Sequence, residues 1–131
     1  MDNYSILSRA IGEAFEPKLD EFIDSVNFDV NADSVNCNLT ISGGVASCKS
    51  TVYGISGTTT KIVVTQTLQV KDGMSWRKIT DWSKTFNSWY CSYPNSFSPI
   101  GSGTYRVKTV AKVYKGTSYE TVTVYSAEVL Y

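Results

Sequence analysis

At 131 residues the chain is long enough for one domain with its own hydrophobic core, and it needs no metal or disulfide to complete it. Its 12 basic and 12 acidic residues cancel, which argues against the strongly basic footprint of a nucleic-acid binder. It contains no histidine, which removes histidine-based triads, the usual catalytic zinc sites and the commonest general base.

The balance of charge hides a split. Residues 1–33 carry Arg9 and Lys18 against eight acids, a net −6, whereas residues 34–131 carry ten bases against four acids, a net +6. Opposite charge suggests that the front segment docks on the body of its own chain or of a neighbour; the alternative is two solvated faces that never meet. No apolar run approaches the roughly 18 residues of a membrane span, so membrane insertion is not expected. Met1 is followed by Asp2 and Asn3 without the basic start and apolar run of an export signal.

Within residues 1–33, Leu7, Ala10, Ile11, Ala14 and Phe15 recur at helical spacing until Pro17 interrupts. Proline suits a first helical position, and Leu19, Phe22, Ile23 and Val26 then recur at i, i+3, i+4 and i+7. The reading is an acidic amphipathic helical segment and linker over residues 1–33, ahead of an all-β domain over residues 34–131.

From Val35 the period becomes two. Cys37, Leu39 and Ile41 share one face of a strand, Gly43-Gly44 makes a tight hairpin turn, and Ala46, Cys48 and Val52 return on the same face. Ile62, Val64, Leu68 and Val70 alternate with polar neighbours up to "KDG"; "SWRKITDWSKTF" resumes the pattern. Tyr105, Val107, Thr109, Ala111 and Val113 alternate with Arg106, Lys108 and Lys112, and "YETVTVYSAEVLY" closes the chain. Six or seven strands at near-regular spacing, with no crossover helix between them, predict an antiparallel β-sandwich, which one tyrosine sharpens to the immunoglobulin-like type. Tyr105, just after "GSG" at the start of its strand, stands where such sandwiches place a tyrosine whose hydroxyl ties back to nearby backbone.

Four stretches in this order, "LTISGGVASC", "TKIVVTQTLQVKDGMSWRKITDWSKTF", "GTYRVKTVAKVY" and "YSAEVLY", resemble small exported immunoglobulin-like domains of uncharacterised function from clostridia and related Firmicutes. The similarity covers residues 35–131. It implies a secreted or cell-surface protein whose signal peptide is absent from this sequence. It carries over no functional residue, and the acidic front and the aromatic "SWYCSYPNSF" depart from its pattern.

Chemistry is sparse. The three cysteines form no Cys-x-x-Cys pair. Cys37 and Cys48 fall on adjacent strands facing one layer, directly opposite or one pair out of register, which leaves open a cross-strand disulfide or two inert buried thiols; Cys48 with Cys91 is another pairing. Asp29, Asn31 and Asp33 have the spacing of a calcium loop, but the glycine and distal glutamate of an EF-hand are missing, and a solvated linker is the reading. No metal or cofactor is expected.

Trp76, Trp82, Trp89, Tyr90, Tyr93 and Phe97 fall within 22 residues, more than a core of this size requires. Pro94, Asn95 and Pro99 push the later part of this stretch to an edge or loop. Trp82 and Trp89 are expected inside, with Trp76, Tyr90, Tyr93 and Phe97 as candidate binding residues for a protein or glycan. The functional expectation is a non-enzymatic extracellular binding or adhesion module. The alternative is a subunit that self-assembles through its N-terminal helices or its C-terminal edge strand.

Overall fold

A computed structural model describes residues 32–131. The predicted helices, and Asp29 and Asn31 of the calcium-like spacing, lie outside the described residues. From Ala32 onward the chain is β structure: β1 (Ala32–Ser42), β2 (Val45–Gly54), β3 (Lys61–Asp72), β4 (Ser75–Phe86), β5 (Tyr90–Phe97), β6 (Thr104–Lys115), β7 (Ser118–Tyr125) and the short β8 (Val129–Leu130). The count exceeds the expected six or seven because the C-terminal stretch is broken at Ser126 into a long piece and a two-residue piece.

The strands form two sheets, β1-β2-β5 and β4-β3-β6-β7, with β8 extending the β7 side of β6; every pairing is antiparallel. Turn chemistry explains the local hairpins. Gly43 and Gly44 both take positive φ (59° and 77°), as a two-residue turn matching strand twist requires, and Ser42 pairs directly with Val45 across it. Two-residue loops also join β3 to β4 and β6 to β7. The β2–β3, β4–β5 and β5–β6 connections cross between the sheets, and β7 runs on to β8 within the larger sheet.

Alternation is strict on the central strands of the larger sheet. On β3 the even positions from Ile62 to Val70 are all buried, as are the odd positions of β6 from Tyr105 to Val113. They meet the inner faces of β1, β2 and β5, and the apolar groups fall into two clusters. One gathers Val35, Val52, Ile62, Val64, Cys91, Ala111, Val113 and Val122; the other gathers Cys37, Leu39, Ala46, Cys48, Leu68, Val70, Tyr105 and Val107.

Between the two clusters runs a hydrogen-bonded belt. The Gln66 side-chain amide donates to Ser50 Oγ at 2.8 Å and to the Tyr93 carbonyl at 3.0 Å, and its Oε1 accepts from Asn95 Nδ2 at 3.0 Å. Ser50 Oγ and Thr109 Oγ1 share a further bond of 2.7 Å. Ser50, Gln66 and Thr109 are fully buried. Burying such groups is costly unless their bonds are made, and here they are made to one another.

Tyr105 does as expected: its hydroxyl donates to the Gly101 carbonyl at 2.7 Å, pinning the entry to β6. At the far edge, Ser126 stands in for strand backbone. Its Oγ accepts from the Val107 N–H (2.8 Å) and its own N–H donates to the Val107 carbonyl (2.9 Å).

Candidate functional site

The outer face of the three-stranded sheet is built from small polar side chains in register. Across β1, β2 and β5 its rows are Thr40–Ser47–Ser96, Asn38–Lys49–Pro94, Asn36–Thr51–Ser92 and finally Ser34–Tyr53–Tyr90. The first two rows line a shallow groove of about 510 Å³. Lys49 is the one charged group in these rows.

The last row ends in aromatics. Tyr53 and Tyr90 are direct cross-strand partners with ring centroids 4.7 Å apart, and Trp89 lies 6.4 Å from Tyr53 and 6.2 Å from Tyr90. Trp89 is 41% exposed, and the two tyrosines are 38% exposed. Local backbone holds the group together. The Gly54 N–H donates to the Trp89 carbonyl at 2.6 Å, and the Tyr90 N–H donates to Ser88 Oγ at 3.2 Å. Gly54 is required here by space, since a Cβ at this position would sit within 2.8 Å of three side-chain atoms of the buried Thr59. Thr59 Oγ1 in turn accepts from the Ile55 N–H at 2.9 Å, closing the turn that comes after Tyr53. Four residues along β2, about 13 Å, separate Tyr53 from the groove at Lys49.

The structure disperses the four aromatic residues singled out in the sequence. Tyr90 belongs to this cluster. Tyr93 points inward, packs edge-on against Phe86 at 5.6 Å and gives its carbonyl to Gln66. Phe97 packs against the second core cluster. Trp76 lies on the outside of the other sheet, 4.1 Å beneath the Arg106 guanidinium. Trp82 is half-buried against the core as expected, but Trp89 is not inside. It sits in the bend before β5, so the alternation running from Cys91 does not extend to it. Tyr53 joins the site without having stood out in the aromatic-rich stretch. Its signal is a large ring at an outward position, beside buried Val52, on a strand whose other outward residues are Val45, Ser47, Lys49 and Thr51.

No disulfide joins Cys37 to Cys48: all three cysteines are buried thiols. Cys37 faces Ser50 and Cys48 faces Leu39, so the two thiols are diagonal rather than opposite. Burial pushes the Cys48 and Cys91 thiols up to about 11, with a hydrogen bond to the Val52 backbone offsetting part of the effect at Cys91. They are protonated at neutral pH and poor nucleophiles. Among the described residues no three His, Cys, Asp or Glu side chains gather as a metal site would require. The outer face offers ring surface, hydroxyls and amides, which suit holding a ligand.

No family model matches this chain, and no curated protein matches it. Among solved structures it is similar to the solution structure of R. palustris CsgH, at 11% identity and a TM-score of 0.39, over 69% of this chain and 90% of that one. A likeness so loose assigns neither a family nor a role.

Proposed function

We propose that this protein is a non-enzymatic binding module of the cell exterior that recognises a glycan through the outer face of its three-stranded sheet. The observation that carries this reading is the Tyr53–Trp89–Tyr90 cluster. Three large rings stay partly open to water at one end of a face whose other rows are Ser, Thr and Asn with Lys49 and Pro94. Flat ring faces stack on the C–H faces of sugars, and rows of hydroxyls and amides match sugar hydroxyls; both contacts are short-ranged and need no charge. The cell-exterior part of the reading draws on the resemblance of residues 35–131 to exported domains.

The finer fold assignment is likewise a proposal. With β1, β2 and β5 in one sheet and β3, β6 and β7 in the other, the chain order matches the A, B, E and C, F, G strands of an immunoglobulin-like sandwich. The Tyr105–Gly101 bond at the entry to β6 supports it, because that is the corner such folds tie with a tyrosine.

A glycan array probed with the full chain tests the function. Binding to a defined set of glycans is expected, weakened about thirtyfold or more by Tyr53→Ala with Trp89→Ala, the loss typical of a central aromatic contact. Silence across the array, or binding that the double substitution leaves intact, sinks the assignment.

A further inference from the structure

The outer face of the five-stranded sheet has the opposite character. Register places Lys61 and Lys71 of β3, Lys78 of β4, and Arg106, Lys108 and Lys112 of β6 on it. The acid beside them is Asp81, 3.2 Å from Lys78. Aromatic rings hold several of these cations in place. The Arg106 guanidinium lies between Trp76 (4.1 Å) and Tyr125 (4.2 Å), and its Nε donates to Gln69 Oε1 at 2.7 Å. Lys61 lies 4.2 Å from the Tyr114 ring and Lys112 lies 5.3 Å from Tyr119. Such contacts are worth about 0.5–1 kcal/mol each at exposed sites and leave the positive charge in place. The result is a cationic surface on which the Trp76, Tyr114 and Tyr125 rings each carry a cation of this same face.

We infer that the occupant of this cationic face is the acidic segment formed by residues 1–31 of the same chain. Charge and reach both support it. Residues 1–31 carry seven acids against two bases, a net −5, and the face carries six cations against one acid. The segment joins the body at Ala32, the start of β1, and β1 packs over β6 and β7. Sheets stack about 10 Å apart, so passing around the β7 edge to the opposite surface takes roughly 20 Å, or about six extended residues. The segment has 31. A tether of this length holds its carboxylates near the face at millimolar effective concentration, well above that of an untethered competitor.

Zero-length carbodiimide coupling of the full chain at high dilution, read by peptide mass spectrometry, tests the inference. Amide links are expected from Glu13, Glu16, Asp20, Glu21 or Asp24 to the five lysines of the face, in preference to Lys49, Lys84 and Lys115. They should be lost in Lys108→Glu with Lys112→Glu, and also in the unaltered protein at about 0.5 M salt, where the Debye length falls to roughly 4 Å. A mixture of light and heavy isotopic protein decides which copy supplies the segment. Links that join light to heavy overturn the same-chain assignment in favour of a neighbour's segment. Links spread evenly over all lysines, or confined to Lys49, Lys84 and Lys115, overturn docking on this face.

Discussion

Gln66 makes three hydrogen bonds in the middle of the interior, and each partner sits on an element of the opposite sheet. Replacing it by leucine keeps the volume but strips partners from the Tyr93 carbonyl, the Asn95 amide and the Ser50 hydroxyl. Gln66→Leu is therefore expected to destabilise the fold by about 2–4 kcal/mol, seen as a lower urea midpoint with an unchanged slope. Adding Ser50→Ala and Thr109→Val should recover part of the loss, because it removes the stranded groups rather than restoring their bonds. An unchanged midpoint in the single variant would show that the belt contributes nothing. This belt is only half legible in the sequence. Ser50 and Gln66 occupy the inward phase of strands whose other inward members are Ala46, Cys48 and Val52, and Ile62, Val64, Leu68 and Val70. By hydrophobicity they look like outward positions; the period places them inside.

At the scale of elements, the β2–β5 pairing is what assembles the aromatic cluster, and Gly54 is its tightest point. Gly54→Ala forces Thr59 to move and strains the Gly54–Trp89 backbone bond. The expected outcome is a loss of about 1–3 kcal/mol, typical of overpacking, together with weaker glycan binding than the wild type in the same assay. Retained stability and retained binding would mean that the turn accommodates the methyl group. Much of the strand plan is readable in the sequence. Gly43-Gly44 announces its hairpin, and Pro94 announces that β5 is an edge strand, since a proline cannot donate to a second neighbour. Which strands share a sheet is not readable, because a period of two says that a residue faces inward and not which strand it meets. The bend at Asn87–Trp89 ends one alternation and begins another, which is why Trp89 lies outside against expectation.

The described residues form two sheets with unlike outer faces, one carrying Lys49 as its single charge in the paired rows and the other six cations, over a core in two halves. Each half holds a buried thiol whose ionisation folding suppresses: Cys91 in one, Cys48 in the other. The unfolded chain releases these protons above about pH 9, near the ordinary value of 9.0, whereas the folded chain holds them to about 11. Between those values the unfolded state binds fewer protons. Stability is therefore intact below pH 9 and falls as pH rises towards 11, by up to about 1.4 kcal/mol per pH unit for each thiol. Denaturation at several pH values should show a shallower decline in Cys48→Ala and in Cys91→Ala than in the wild type; parallel curves would refute the coupling. At this scale the sequence shows that charge is split along the chain, but gathering six cations on one side requires the register.

Hydrophobic alternation tells a strand only its parity: sliding by two residues keeps every apolar group inward, and by that criterion the slipped arrangement is as good as the native one. The amide of Gln66, the hydroxyls of Ser50 and Thr109, the Asn95 amide and the Tyr93 carbonyl lie on four different strands and meet in a single alignment. A two-residue slide would leave them facing methyl groups. These few polar atoms therefore count absolute position where oil and water count only odd and even, and they keep Tyr53 opposite Tyr90.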